Sequence, residues 1–215
     1  MDGKYTKGQA TRARIVEVAT GLFASAGYEA TSIEVVLSKS GISRGALYHH
    51  FQDKAALFEA VLEAMEAAIA IKLPAASIGI TDPVAAMRAG GDAWLALSRD
   101  PAVKQIVLID APAVLGWQKW REIDSRFGFG LIKAGLKNLS RAGRLPAEMV
   151  EPLSHVLLAS MMELALVVAR ADRPKAAMIS SRAALHQLID RLLEEPARPA
   201  PLPSSGATRR SSRSG

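Results

Sequence analysis

Arg44, Tyr48, His49 and His50 fall within seven residues of one another and carry the chemistry of nucleic-acid contact. An arginine in the first turn of a helix can give paired hydrogen bonds to guanine O6 and N7, worth about 1–3 kcal/mol of discrimination. Gly45 and Ala46 keep the front of that helix low, so its backbone can approach base edges. Ser43 and the free amides of the helix start favour a phosphate. Tyr48 and Lys54 are placed to hold flanking phosphates, contacts that position a protein on a duplex without reading its sequence. Leu47 and Phe51, at i and i+4, already fill the inner face, which turns Tyr48 outward. Adjacent helical positions such as His49 and His50 point about 100° apart and cannot chelate one ion together, so no metal site is expected.

The elements that must position these side chains are legible on either side. Ile15, Val16, Ala19, Leu22, Phe23 and Ala26 repeat at helical spacing, and Gly27 ends that helix. Thr31-x-x-Glu34 reads as a capping box that starts a second helix with Ile33, Val36 and Leu37 inward. Gly41 stops it, Ile42 plugs the turn, and Ser43 caps a short third helix over Arg44 to His50. Two helices joined by a glycine turn make a helix-turn-helix. Asp53 caps a fourth helix with Leu57, Phe58, Val61, Leu62 and Met65 on its apolar face, running to about Lys72.

Beyond it the pattern stays helical. Asp82-Pro83 and Asp100-Pro101 are N-cap and proline-at-N1 starts. A long helix is expected from Trp117 to about Arg141, ending at Gly143, and two strongly apolar helices over about 147–171 and 175–194. No useful period-2 run occurs. The expected class is all-α, with about nine helices.

Apolar residues make up 49% of the 215, enough for a sizeable core. The absence of cysteine excludes disulfides, thiolate metal sites and cysteine nucleophiles. No G-x-S-x-G, H-E-x-x-H, P-loop or dinucleotide-binding glycine set is present, so neither an enzyme nor a cofactor is expected. The polar, basic N-terminus lacks the apolar run of a secretory leader. The longest apolar stretch, Val156 to Ala169, is interrupted by Glu163 and falls short of the ~20 residues of a membrane span. A cytoplasmic protein without membrane contact is expected. The excess charge of +6 sits at the ends: the central body is neutral, and residues 196–215 carry four arginines and no acid. That Pro/Ser/Arg-rich tail is expected to be disordered.

The run Gly27-Tyr28, Thr31-Ser32-Ile33, Val36, Gly41-Ile42-Ser43-Arg44-Gly45-Ala46-Leu47-Tyr48-His49-His50-Phe51, Lys54 and Leu57 resembles, position by position, the signature of TetR-family transcriptional regulators. The resemblance covers residues 9–69, with the helix-turn-helix at about 32–51. It implies a three-helix DNA-binding head in which Thr31, Ser43, Arg44, Tyr48, His49 and Lys54 face DNA and His50 touches backbone phosphate. It also implies that residues 75–195 form a ligand-binding and dimerisation domain, helices 147–171 and 175–194 pairing with their mates in a four-helix bundle.

A lone head binds weakly, and the usual solution is a two-fold dimer on a palindrome with half-sites about 34–36 Å or more apart. The reading is therefore a homodimeric, ligand-responsive repressor on a palindromic operator, with a small-molecule effector. The alternatives are an activator of the same family, or a nonspecific DNA-coating protein that uses its basic ends. Met87, Trp94, Trp117, Trp120, Phe127, Phe129, His155, Met161 and Met162 are candidates to line the ligand pocket, and each also suits plain core. Glu163 fits a ligand anchor, an inter-subunit pair with an arginine, or a rim residue.

Overall fold

A computed structural model describes residues 2–193, with side-chain surroundings from residue 8 onward; the basic tail at 196–215 lies outside the described residues. Among the described residues there is no strand. The helices are α1 (Asp2–Ala30), α2 (Ile33–Ser40), α3 (Arg44–His50), α4 (Lys54–Lys72), α5 (Pro83–Leu97), α6 (Ala111–Asp124), α7 (Gly130–Arg141), α8 (Val150–Arg170) and α9 (Pro174–Leu193). Two π-helical segments, Val103–Asp110 and Ser125–Phe129, flank α6. Such segments carry one extra residue per turn and are frequent at functional sites.

The head closes around Phe23, Tyr28 and Phe58, whose ring centroids lie 5.2–5.8 Å apart. Ile15, Val36, Leu47, Phe51 and Leu57 complete its core. Gly27 breaks α1 with φ 79° and ψ 169°, a backbone conformation open essentially to glycine alone. The break frees the Tyr28 amide from the helical ladder, and it donates instead to Asp110 Oδ2 at 2.8 Å. Gln105 Nε2 donates to the other carboxylate oxygen at 2.9 Å. The glycine turn thus joins the head to the body through one half-buried carboxylate, Asp110.

One sequence expectation needs correction. The N-cap of α2 is Ser32, whose side chain accepts from the Val35 amide. Thr31 instead is buried, and its hydroxyl donates to Gly27 O at 2.8 Å, closing the turn after the kink rather than forming a capping box. The helix expected from Trp117 to about Arg141 is present as one unbroken helical run that starts after a second kink, at Gly116, with the π segment Ser125–Phe129 inside it.

The body packs α8 against α5, α7 and α9. Leu153, Leu157, Leu158, Met162, Ala165 and Val168 are its buried face. The stretch Ala147–Arg170 is long and apolar enough to cross a bilayer by length and composition, and one face of it is buried against α5, α7 and α9. The α5–α9 contact is close, since a Cβ on Gly91 would stand 2.6 Å from Leu185 Cδ2. It is bordered by Arg182–Asp92 at 2.6 Å, His186–Asp92 at 2.9 Å and an Arg88–Asp190 pair. Lys119–Glu59 at 2.8 Å and Arg126–Glu63 tie α6 and the segment after it to α4.

Gly27→Ala is expected to destabilise the chain by about 1–3 kcal/mol, the typical cost of forcing a side chain into that backbone region. The added Cβ would also stand 3.2 Å from Gln105 Nε2. Chemical denaturation of both proteins measures the difference.

Candidate functional site

The outer face of α3 has the predicted arrangement. Leu47 is fully buried as the anchor, whereas Ser43, Arg44, Gly45, Tyr48 and His49 are exposed and His50 is half-buried. Tyr48 keeps 44% of its surface open to solvent, which separates it from core aromatics such as Phe51 at 3%. Ser43 caps α3 by accepting from the Ala46 amide.

Three residues of the expected DNA set have partners within the chain. Arg44 Nη2 donates to Glu34 Oε1 at 2.8 Å across the turn, with both side chains well exposed. The Glu34 carboxyl is held below its ordinary range, first by a backbone hydrogen bond and then by Arg44. An exposed pair of this kind is screened by solvent and weak, so a guanine edge can compete for the guanidinium. Lys54 Nζ donates to Tyr28 O at 3.0 Å and lies 3.9 Å from the centre of the Tyr28 ring, so its ammonium reinforces the end of α1. Thr31, at 2% exposure with its hydroxyl bound to Gly27 O, has no free surface for a phosphate, and it is removed from the DNA-facing set. Arg12, whose guanidinium lies 5.2 Å from the Phe51 ring centre, and Arg14, bonded to Ser40 O at 3.0 Å, brace the head internally.

In the body, a cavity of about 350 Å³ opens between α4, α5, α7 and α8. Of the residues suggested from sequence, Met87, Trp94, Phe127, Met161 and Met162 line it. Trp94 Nε1 donates to Met161 O at 3.0 Å, joining α5 to α8 across the wall. Trp117, Trp120 and His155 do not line it. Trp120 is fully buried in the core, Trp117 is 64% exposed beside it, and His155 lies outside against Phe129 and Glu151. Glu163 is exposed on α8 and does not line the cavity.

The ionisable groups of the cavity wall are two residues that sequence reasoning passed over, Glu66 and Asp124, and Ser77 and Asn138 are its other polar side chains. Both are 3% exposed. Burial pushes the Glu66 carboxyl up to about 8, and the neighbouring Asp124 charge adds to the rise. Burial likewise pushes Asp124 up to about 6, against the pull of Arg121, which donates to it at 2.9 Å. Glu66 Oε1 has no hydrogen-bond partner. A signal existed in the sequence: Glu66 interrupts the apolar face of α4 between Leu62 and Ile69, at i+4 and i−3.

Comparison with known proteins places the chain. Residues 84–192 match the family model described as Tetracyclin repressor-like, C-terminal domain, and residues 15–61 match Bacterial regulatory proteins, tetR family. The chain belongs to the TetR family of bacterial regulators. It is similar to the HTH-type transcriptional regulator UidR of Escherichia coli K12, with 39% identity over 62 residues; the match takes in 29% of this chain and 32% of UidR, so about a third of that relative's length is covered. The Transposon Tn10 TetC protein of Escherichia coli is 25% identical over 162 residues, 74% of this chain and 80% of that protein. The crystal structure of a TetR-family transcriptional regulator from Pectobacterium atrosepticum superposes with a TM-score of 0.78 at 30% identity, covering 89% of this chain and 98% of the other. Within this TetR chain, Glu66 falls between the two matched segments.

The raised carboxyls set a pH dependence. A carboxyl whose folded value lies above its unfolded value binds more protons when folded, so its contribution to stability falls as pH rises between the two. For Glu66 that window runs from its ordinary value of 4.5 to about 8. Glu66→Gln removes the ionisation, and should therefore match wild type near pH 5 and exceed it by a few kcal/mol at pH 8. Urea denaturation at the two pH values tests the sign.

Proposed function

We propose that this TetR-family chain is a ligand-responsive homodimeric repressor that reads a palindromic operator with α3. The observation that carries the reading is the outward set Arg44, Tyr48 and His49 on a helix whose Gly45 front is flat and whose Leu47 is fully buried. In this reading Arg44 leaves Glu34 for a guanine edge, Ser43 and the α3 amides take a phosphate, and His50 and Lys54 border the flanking backbone. The effector occupies the cavity beneath α4. Ligand can release DNA only if it binds better to the state in which the heads are misplaced. Two routes lead from the cavity toward the head. One is α4 itself, which begins at Lys54 and lines the cavity at Glu66; the other is α6, which follows directly on Asp110 and ends at Asp124.

The dimer surface follows from what α8 and α9 leave uncovered. Val156, Ala159, Glu163 and Val167 recur on one exposed face of α8, with Val156 and Val167 at 45% and 46% exposure. On α9, Ile179 is 72% exposed among the small residues Ala176, Ser180 and Ala183. Small residues let a second pair of helices approach closely, which supports a four-helix contact with a second copy. Glu163 then lies within that contact. Leu185 and Ile189, by contrast, are buried within one copy.

Selection of bound duplexes from a random pool is the direct test. Wild type should yield a palindrome, and Arg44→Ala should lose about 1–3 kcal/mol of preference at one symmetric base-pair position. A wild type that selects no consensus sinks the operator reading. Val156→Glu combined with Ile179→Glu is expected to convert the dimer to monomer in sedimentation, with operator affinity lost in parallel.

A further inference from the structure

The cavity holds an acid that the fold itself does not use. Glu66 is 3% exposed and lines the cavity, and its Oε1 accepts no hydrogen bond. An unpartnered polar atom in such a place typically costs the fold about 1–3 kcal/mol, and it calls for a donor from outside the chain. Asp124 lies on the same wall. Among the lining residues these two alone are ionisable, and no lysine, arginine or histidine faces the space. The nearby cations are committed elsewhere: Arg121 to Asp124, Arg126 to Glu63 and Lys119 to Glu59. The remaining wall is aromatic and thioether, with Trp94, Phe127 and Met161 among it, surfaces that attract cations and hydrocarbon together. The indole N–H of Trp94 is already taken by Met161 O, the Ser77 hydroxyl donates to Pro74 O and Asn138 Oδ1 accepts from Arg141, which leaves Glu66 Oε1 as the buried polar atom of the wall without a partner.

We propose that this cavity takes an amphiphilic organic cation, an apolar body with one ammonium group, using Glu66 as counter-ion and Asp124 beside it. An organic anion finds no lysine, arginine or histidine on the wall to pair with it. A neutral alcohol can donate one hydrogen bond to Glu66 but brings no charge to balance it. When the ammonium enters, it keeps its protons, and the proton held on the Glu66 carboxyl leaves to solvent. The proposal rests on reading the cavity as the effector site.

The test uses the full-length dimer and three matched probes, 4-phenylbutylamine, 4-phenylbutanol and 4-phenylbutanoate, in calorimetry at pH 7 in two buffers of different ionisation heat. The amine is expected to bind at least about tenfold tighter than the alcohol, the usual scale of a charged hydrogen bond. Its binding should release protons, and the carboxylate should not bind. Glu66→Gln should abolish the proton release and bring amine and alcohol within about threefold, while unchanged alcohol affinity shows the cavity to be intact. Equal amine and alcohol affinity in wild type, a preference for the carboxylate, or no binding by any probe at millimolar concentration overturns the cation assignment. Operator release is read separately. Release by the alcohol or the carboxylate leaves the effector reading standing without the cation. Glu66-dependent amine binding with no release keeps the cation and removes the effector reading.

Discussion

Gly27 takes a backbone conformation that leaves the Tyr28 amide with no helical acceptor, and the Asp110 carboxylate supplies one from the body. Much of the rest hangs on this arrangement. Thr31 is buried because its hydroxyl must close the same turn, and Lys54 is drawn inward because the Tyr28 carbonyl and ring offer it a partner. Gln105 fixes the second oxygen of Asp110, and both residues belong to the π-helical segment that leads into α6. The orientation of the DNA-reading face relative to the body is therefore set by directional hydrogen bonds around a few polar groups, in addition to apolar packing.

The same design recurs at the far end of α6. There a second π-helical segment follows Asp124, and a carboxyl, buried where Asp110 is only half-buried, sits where two elements meet. The two sites differ in satisfaction. Asp110 has a donor on each oxygen, whereas Glu66, beside Asp124, has an oxygen with none. A satisfied buried carboxylate holds a structure in place. An unsatisfied one raises the energy of the empty state and rewards whatever supplies the missing donor. Because α4 carries Glu66 at one end and Lys54 at the other, the unsatisfied site shares a rigid element with the DNA-binding head.

Electrostatics on the DNA-facing side follows the opposite logic. Arg44 and Glu34 are paired but exposed, and water weakens the pair enough for it to open. Glu34 also keeps the guanidinium extended along the outer surface while no DNA is bound. The exposed pair suits a contact that exchanges partners, and the buried carboxyls suit contacts that must persist or respond to a ligand.

The helical class, most helix limits and the inside-outside pattern of α3 were legible in the chain, because they depend on local spacing: apolar residues at 3.6-residue intervals, Gly41 in a left-handed cap, Ser43 and Asp53 accepting from amides three residues on. Family resemblance added the DNA face and proved too generous at Thr31, since a side chain's partner nine residues or fewer away through a kink is not visible in a linear motif. The cavity was not legible. Met87, Trp94, Phe127, Met161 and Met162 converge on it, while Trp120 packs into the core and Trp117 faces solvent, although all are apolar residues at helical spacing. Which apolar face borders a void and which fills one is decided by how α4 to α8 pack, and sequence periodicity says only that a face is buried. The burial of Glu66 belongs to the same class: tertiary packing takes its carboxyl out of water and, as a smaller effect, brings Asp124, 58 positions along the chain, beside it.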